Sequence, residues 1–206
     1  MKLNLCTPPN IGWIETRLDK NHIDFLWKRI KEKKEDNYKK NLAGNISQSF
    51  EIEDKNDYFF KEVLSKQAEL YFNTYGKHPV RDHSLGSPEL KLHGFWVNYQ
   101  NKHEVNPYHH HGGVYSFAIW IKIPYNWKEQ NKLSFLDGIK EDDKKAGIFE
   151  FEYHDILGGV CNYGYRLEPS MEGCMVFFPA ALRHTVYPFY NTDESRVSVA
   201  GNLWFK

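Results

Sequence analysis

The spacing of apolar residues changes along the chain near residue 78. Before that point apolar positions recur every three or four residues, the period of a helix with one buried face. The first such stretch follows Asp19, a residue type suited to capping a helix N-terminus. Its apolar residues are Ile23, Leu26, Trp27 and Ile30. A second helix is predicted from about Asp57 to Thr74, ended by Gly76 and Pro79.

After Pro79 the sequence consists mainly of short aromatic and β-branched runs separated by turn residues, which is the pattern of strands. The runs are KLHGFWVNY, VYSFAIWIKI, GIFEFEY, CMVFFP, HTVYPFY and RVSVAGNLWF. GIFEFEY alternates strictly, as a strand with one face in water should. Residues 126–146 are polar and charged, and they predict a long excursion between two strands.

Strands at this spacing without intervening helices predict an antiparallel sandwich or barrel. We therefore expect one α+β domain over residues 1–206. Residues 1–78 would form a mainly helical N-terminal part, packed outside a jelly-roll core built from residues 79–206. Between the two helices, the segment NLAGNIS is rich in Asn and Gly and is predicted to be a loop.

The charge balance argues against nucleic-acid binding. The 206 residues include 27 basic and 27 acidic side chains, whereas a nucleic-acid binder usually has a basic excess or a basic stripe. The one basic stretch, residues 28–40, is interleaved with acids, so it predicts the solvated face of a helix.

Neither a membrane span nor a disulfide framework is predicted. The chain has no apolar run of about 18 residues, the length that a spanning helix needs. Its three cysteines are an odd number without a C-x-x-C pair, which favours a reducing compartment. We expect a cytoplasmic location.

Three consecutive histidines precede a predicted strand in the segment NPYHHHGG. If this segment is extended, His109 and His111 leave the same face while His110 points the other way. His184 begins another strand, HTVYPFY. A first-row metal takes ligands that converge from separate parts of a fold, so His109, His111 and His184 predict a metal site. The alternative is a histidine-rich surface loop whose rings contact only water.

Arg196 and Ser198 lie two residues apart in the last predicted strand and so share a face. Arg clamps a carboxylate through two parallel hydrogen bonds, and Ser adds a third donor. Beside a metal-binding histidine, this pair indicates an anionic co-substrate held at both ends. The alternative is an exposed Arg196 paired with Asp193 or Glu194.

Taken in order, these motifs resemble the iron(II)- and 2-oxoglutarate-dependent oxygenases with a double-stranded β-helix core. The segments that carry the resemblance are FWVNY at 95–99, the H-x-H of PYHHHGG, VYSFAIWIKIP, EGCMVFFPAALRHTVYPFY and ESRVSVAGNLWF. The resemblance covers most of the chain and is strongest from about 90 to 206. With the loop NLAGNI, it is closest to a branch found in phages and marine bacteria, which would place the protein in a host cytoplasm.

The resemblance implies a jelly-roll, cupin-like fold, iron(II) as the metal, and 2-oxoglutarate and O2 as co-substrates. It also implies that His109 and His184 are iron ligands and that Arg196, with Ser198, grips the far carboxylate of 2-oxoglutarate. Tyr99 stands ten residues before His109, where related hydroxylases place a tyrosine that bonds the co-substrate; a core aromatic is the alternative. The implied activity is hydroxylation of a primary substrate, and the sequence specifies neither that substrate nor an oligomeric state.

His111 departs from the family pattern. Most members have Asp or Glu there, which gives two histidines and one carboxylate around the iron. Three hypotheses stay open: a 2-oxoglutarate-dependent oxygenase, a three-histidine cupin-like metalloprotein that does not use 2-oxoglutarate, and a non-catalytic jelly-roll binding module. Glu150 or Glu152 could supply an extra carboxylate, the alternative being the ordinary wet face of a strand.

Overall fold

The computed structural model describes residues 10–33, 44–76, 79 and 89–206. Its helices are α1 (Lys20–Lys31), α2 (Ser65–Tyr75) and the short α3 (Trp127–Asn131). A π-helical turn, Phe60–Leu64, leads directly into α2. The strands are β1 (Ile14–Arg17), β2 (Gln48–Glu51), β3 (Leu90–Gln100), β4 (Asn106–His109), β5 (Tyr115–Lys122), β6 (Ile148–His154), β7 (Val160–Arg166), β8 (Cys174–Pro179), β9 (Arg183–Val186) and β10 (Arg196–Phe205).

The strands form two antiparallel sheets. The larger has the order β1-β8-β5-β10-β3-β2, and the smaller has the order β4-β9-β6-β7. Trp120 and Phe178 of the larger sheet share one buried cluster with Phe149 and Phe151 of the smaller sheet, so the two sheets pack on each other. The predicted α+β fold with a jelly-roll core is confirmed.

The N-terminal helices cover one face of the larger sheet. Leu26 of α1 and Tyr71 of α2 are fully buried in a cluster that also contains Phe117 of β5 and Val199 of β10. Burying apolar side chains of this size stabilises the fold by roughly 1.5–3 kcal/mol each. The helices therefore lie outside the barrel, as predicted.

Alternation along β10 divides its side chains between two environments. Val197, Val199 and Leu203 belong to the cluster beneath the helices. Arg196, Ser198, Ala200 and Asn202 line a cavity instead. Because successive residues of a strand point to opposite faces, this one strand anchors the helical layer and forms part of the candidate site.

The two long helices lie where the apolar spacing predicts them. Asp19 occupies the N-cap position of α1, although its side chain makes no capping hydrogen bond. The second helix begins at Tyr58, close to the predicted start at Asp57, and continues through the π-helical turn and α2 to Tyr75. Gly76 ends it in the left-handed conformation with φ of 70°, which is a common role of glycine at helix C-termini.

The short strands β1 and β2 lie in the part of the chain predicted to be mainly helical, and neither is predicted. Each has four residues and lies at an edge of the larger sheet, β1 beside β8 and β2 beside β3. Strands this short show too few alternations for a period to be read. Residues 126–146 form α3 and two 3₁₀ turns between β5 and β6, which agrees with the predicted excursion between two strands.

Some predictions fall outside the described residues. These are residues 34–40 of the basic stretch, residues 41–43 of the loop NLAGNIS, and the boundary at residue 78, so the division of the single domain there stays a prediction. Within the described ranges, none of the helices is both long enough and apolar enough to cross a membrane.

Candidate active site

Three imidazoles converge where β4 and β9 pair. His109 ends β4 and lies directly opposite His184 of β9 in the strand register. His111 follows two residues after the end of β4. Ring nitrogens from these three residues all lie within 4.8 Å of one another. Nitrogen donors at this spacing can hold one metal ion.

Backbone carbonyl groups fix the orientation of these rings. The Nδ1 atom of His109 lies 2.7 Å from the carbonyl oxygen of Pro107, and that of His184 lies 3.1 Å from the carbonyl oxygen of Leu182. An N–H at Nδ1 donates in each case, so both rings present Nε2 to the cluster. Metal-binding histidines are commonly oriented in this way through their second ring nitrogen.

Burial keeps all three imidazoles neutral. Loss of solvation, with smaller contributions from the neighbouring His109 and His110, lowers the pKa of His111 to about 3. Burial likewise lowers the pKa of His109 and, more strongly, that of His184. Part of the burial of His184 comes from the ring of Phe149, which stacks on it at 5.5 Å between centroids. A neutral imidazole is the form that binds a metal, so the cluster needs no deprotonation at neutral pH.

His110 stands apart from this cluster. It is exposed at the rim of the cavity, as the prediction for an extended segment requires, although β4 itself ends at His109. Gly113 then turns the chain into β5 with φ of 100°. A Cβ atom at Gly113 would lie 2.8 Å from the carbonyl oxygen of Leu203. Glycine is therefore required both by the backbone conformation and by the close approach of β10.

A cavity of about 300 Å³ has the three imidazoles in its wall. The β10 residues Arg196, Ser198, Ala200 and Asn202 form another part of that wall. Its other polar side chains are His110 at the rim and the carboxamides of Asn98 and Asn106. Its aromatic side chains are Trp96, Phe117, Trp120, Phe149 and Phe178. Among the described residues that line the cavity, Arg196 is the only one with a formal charge.

Arg196 is held by two uncharged partners. Its guanidinium donates to the hydroxyl of Tyr125 at 2.6 Å and to the side-chain carbonyl of Gln100. The side chain is only 2% exposed. Asp193 and Glu194 pair with lysines on the surface instead, so the alternative of an exposed Arg196 bonded to one of them is wrong. Within the described ranges the buried guanidinium has no carboxylate partner, and a buried charge without a counter-ion is costly.

The prediction for Tyr99 needs correction. Tyr99 does not line the cavity, and its ring packs edge-on against Phe50 with centroids 6.0 Å apart. Trp96 and Asn98 alternate with it along β3 and line the cavity instead. Because Tyr99 lies on the opposite face of the strand, it is a core aromatic.

Tyr125 and Gln100 were not predicted, although both contact Arg196. Gln100 is the register partner of Arg196 across β3 and β10. The alternation of polar Asn98 and Gln100 with apolar neighbours in FWVNYQ is a signal that could have identified Gln100. Tyr125 lies 71 residues from Arg196 in the loop after β5, where no periodic pattern marks it.

Glu150 and Glu152 do not supply a further carboxylate to the cluster. Glu150 is buried but accepts hydrogen bonds from Tyr108 at 2.6 Å and from Lys145. Glu152 pairs with Arg183. Neither glutamate lines the cavity, because the core face of β6 belongs to Phe149 and Phe151.

A comparison with models of protein families identifies the family to which the chain belongs. A family model described as "Putative 2OG-Fe(II) oxygenase" matches residues 94–202, more than half of the chain. The chain belongs to this family. The matched range includes the three clustered histidines, Arg196 and Ser198. Membership of a 2OG-Fe(II) oxygenase family implies 2-oxoglutarate and O2 as co-substrates, and it confirms the superfamily resemblance. The nearer branch in phages and marine bacteria stays a prediction.

Solved structures of other 2OG-Fe(II) oxygenases have the same fold. A Pseudomonas putida prolyl-4-hydroxylase is 14% identical, with a TM-score of 0.53 over 95% of this chain and 94% of that one. A viral collagen prolyl hydroxylase from Paramecium Bursaria Chlorella virus-1 is 11% identical, with a TM-score of 0.51 over 93% and 94%. A 2OG-Fe(II) oxygenase family oxidoreductase from Burkholderia pseudomallei is 10% identical, with a TM-score of 0.53 over 94% and 84%. No curated protein sequence matches the chain.

The residues in the cavity fit the cofactor and co-substrate of this family. Three neutral nitrogen donors converge within 4.8 Å of one another, and imidazole is a common ligand of iron. A buried guanidinium without a carboxylate partner among the described residues lines the same cavity. The cavity thus offers a place for a divalent metal and a place for an anion.

Proposed function

We propose that this 2OG-Fe(II) oxygenase binds iron(II) through His109, His111 and His184 and uses 2-oxoglutarate to oxidise a C–H bond of a separate primary substrate. The observation that carries the proposal is the shared cavity, whose wall contains both the three imidazoles and the buried Arg196. When bound, iron(II) and 2-oxoglutarate together supply the oxidative chemistry, which converts 2-oxoglutarate and O2 to succinate, CO2 and an oxidised substrate.

Arg196 and Ser198 hold the far carboxylate of 2-oxoglutarate in this proposal. The guanidinium supplies a charge-assisted donor in a buried site, where such bonds are strong, and Ser198 shares its face of β10. Tyr125 and Gln100 orient the guanidinium through their own hydrogen bonds. Both are uncharged, so they leave the positive charge of Arg196 available to the co-substrate.

His111 changes the charge of the metal site relative to the usual two-histidine, one-carboxylate set. Three neutral ligands leave the full double positive charge of iron(II), and dianionic 2-oxoglutarate neutralises it. Because opposite charges attract strongly in a buried site, the three-histidine set favours binding of the co-substrate. Iron held by the three histidines would lie in a cavity lined by aromatic side chains, which would limit the access of water to it.

A three-histidine metalloprotein that does not use 2-oxoglutarate is the second candidate, and the absence of a carboxylate from the cavity wall formed by described residues favours it. That candidate gives the buried Arg196 no anionic partner. The first candidate is therefore preferred. The solved neighbours transfer only the fold at 10–14% identity, so prolyl hydroxylation is not assigned to this chain. A cytoplasmic location is also proposed, in keeping with the free Cys161 and Cys174.

Calorimetric titration under anaerobic conditions separates the two candidates. The iron(II)-loaded protein would be titrated with 2-oxoglutarate and, in parallel, with succinate, which has two carboxylates but no keto group. We expect 2-oxoglutarate to bind much more tightly. Its keto oxygen and the adjacent carboxylate could chelate the metal while its far carboxylate contacts Arg196, whereas succinate could bind the metal only through a carboxylate. Equal, weak binding of the two acids would contradict the proposal and favour the second candidate.

A further inference from the structure

Asn106 lies in the cavity wall beside the three clustered histidines. It is the first residue of β4, and an irregularity in the strand register separates it from His109. The backbone of Asn106 is fixed because its carbonyl oxygen accepts a hydrogen bond from the hydroxyl of Thr185 at 2.8 Å. The carboxamide therefore projects from a rigid strand.

The carboxamide of Asn106 lacks partners that persist when a metal binds. Its Nδ2 atom lies 3.4 Å from Nε2 of His109, the nitrogen that His109 presents to the cluster. A lone pair that binds a metal cannot also accept a hydrogen bond, so the Nδ2 donor must then find another acceptor. Its Oδ1 atom is buried and has no hydrogen-bond partner among the described residues. Buried polar groups are rarely left in that condition.

Packing keeps the carboxamide next to the cluster. A Cβ atom at Gly44 would lie 2.8 Å from Oδ1 of Asn106. Only a glycine at position 44 therefore leaves the side chain in this position. The tight approach on one side and the cluster on the other restrict the rotation of the amide.

We propose that Asn106 is a positioning residue whose amide N–H donates a hydrogen bond to a small ligand at the open coordination position of the metal. This inference rests on the proposed function, since it requires the three histidines to hold iron. The ligand it would contact carries an acceptor atom, as O2 does. No group of His109, His111 or His184 could perform this role, because their presented nitrogens would be occupied by the metal.

Nitric oxide serves as the probe, because it binds iron(II) at the position that O2 would take and gives an electron paramagnetic resonance signal. The iron(II)–2-oxoglutarate complex would be titrated with nitric oxide in the unaltered protein and in Asn106→Ala. We expect iron and 2-oxoglutarate affinities within about threefold of each other in the two proteins. Nitric oxide affinity should fall by about tenfold in the variant, with a changed rhombicity of the signal.

Two further variants make the test specific. Asn106→Leu keeps a similar side-chain volume and removes the N–H donor without adding a carboxylate that could bind the metal, so it should lose nitric oxide affinity without losing iron. Asn162→Ala removes an exposed carboxamide that does not line the cavity and that donates to the hydroxyl of Tyr108 at 2.7 Å, and it should leave the signal unchanged.

An unchanged signal and affinity in both Asn106 variants would overturn the inference while leaving the proposed function intact. Loss of nitric oxide binding only in proportion to loss of iron would also overturn it, since Asn106 would then act on the metal site as a whole. Failure of the unaltered protein to bind iron and 2-oxoglutarate would overturn the proposed function itself, together with this inference.

Discussion

His109 and His184 face each other across β4 and β9 with ring centroids 4.2 Å apart. The two rings come from strands that are 75 residues apart in the sequence, and each is oriented by a carbonyl group two residues before it. Strand pairing therefore brings these two rings together. With His111 the pair forms a neutral, three-nitrogen cluster in the wall of a cavity that also contains Arg196.

Replacing His184 should abolish iron binding. His184→Ala removes one of three ligands, and the two that remain would compete poorly with water for the metal. Metal content after anaerobic loading and desalting measures the effect. His103→Ala is a matched control, since that histidine is exposed and lies away from the cluster. Stoichiometric iron in His184→Ala would show that the cluster is wrongly assigned.

The histidines of the HHH segment should differ in their importance. His109→Ala and His111→Ala should lose iron, because both rings belong to the cluster. His110→Ala should retain it, because His110 is exposed at the rim. Iron content and iron(II) affinity of the three variants provide the comparison. If His111→Ala binds iron as well as His110→Ala does, the third ligand must be sought elsewhere.

Arg196→Leu should leave iron bound and weaken 2-oxoglutarate binding. A charge-assisted contact of this kind in a buried pocket contributes on the order of 2–4 kcal/mol, or roughly 30- to 1000-fold in affinity. Calorimetric titration of the iron-loaded variant measures this loss. Arg183→Leu is the control, because Arg183 is exposed and pairs with Glu152 on the surface. An affinity that scarcely moves in Arg196→Leu would count against the co-substrate site.

Tyr125→Phe should weaken 2-oxoglutarate binding by about tenfold, since one hydrogen bond that orients Arg196 is worth roughly 1.5 kcal/mol. Tyr99→Phe should have no such effect, because the Tyr99 ring lies on the other face of β3. Comparing the dissociation constants of the two variants tests the corrected assignment directly. A larger loss in Tyr99→Phe than in Tyr125→Phe would restore the original assignment.

Gly113→Ala should destabilise the protein more than Gly158→Ala. Both glycines have positive φ, 100° and 84°, and an alanine in that region costs roughly 1–2 kcal/mol. Only at Gly113 would the new Cβ meet a backbone atom, 2.8 Å away, whereas nothing lies within 4 Å at Gly158. Denaturant unfolding gives both free energies. Equal losses would mean that the contact with Leu203 relaxes at no cost.

The parts of the site that could be predicted are those that strand alternation and short motifs encode. His109, His111 and His184 stand in an H-x-H motif and at the start of a strand, and Arg196 and Ser198 share the parity of one strand. These five residues do line one cavity.

The contacts that could not be predicted join distant segments without periodicity. Tyr125 reaches Arg196 from a loop, and its position depends on how that loop packs. The prediction for Tyr99 rested on its spacing from His109, and that spacing does not specify the face of β3 on which a side chain lies. Tyr99 packs with the core, whereas Trp96 and Asn98 on the other face line the cavity. The edge strands β1 and β2 are too short to show a period, and their pairing with β8 and β3 is set by tertiary packing.

We propose that one cavity holds iron(II) and 2-oxoglutarate together. Anaerobic addition of iron(II) and then 2-oxoglutarate, followed by visible absorption spectroscopy, tests it most directly, because the chelate gives a weak metal-to-ligand charge-transfer band. We predict that the band appears in the unaltered protein, is absent in His184→Ala, and needs far more 2-oxoglutarate in Arg196→Leu. No band in the unaltered protein with iron bound, or an undiminished band in His184→Ala, would contradict a shared site for iron(II) and 2-oxoglutarate.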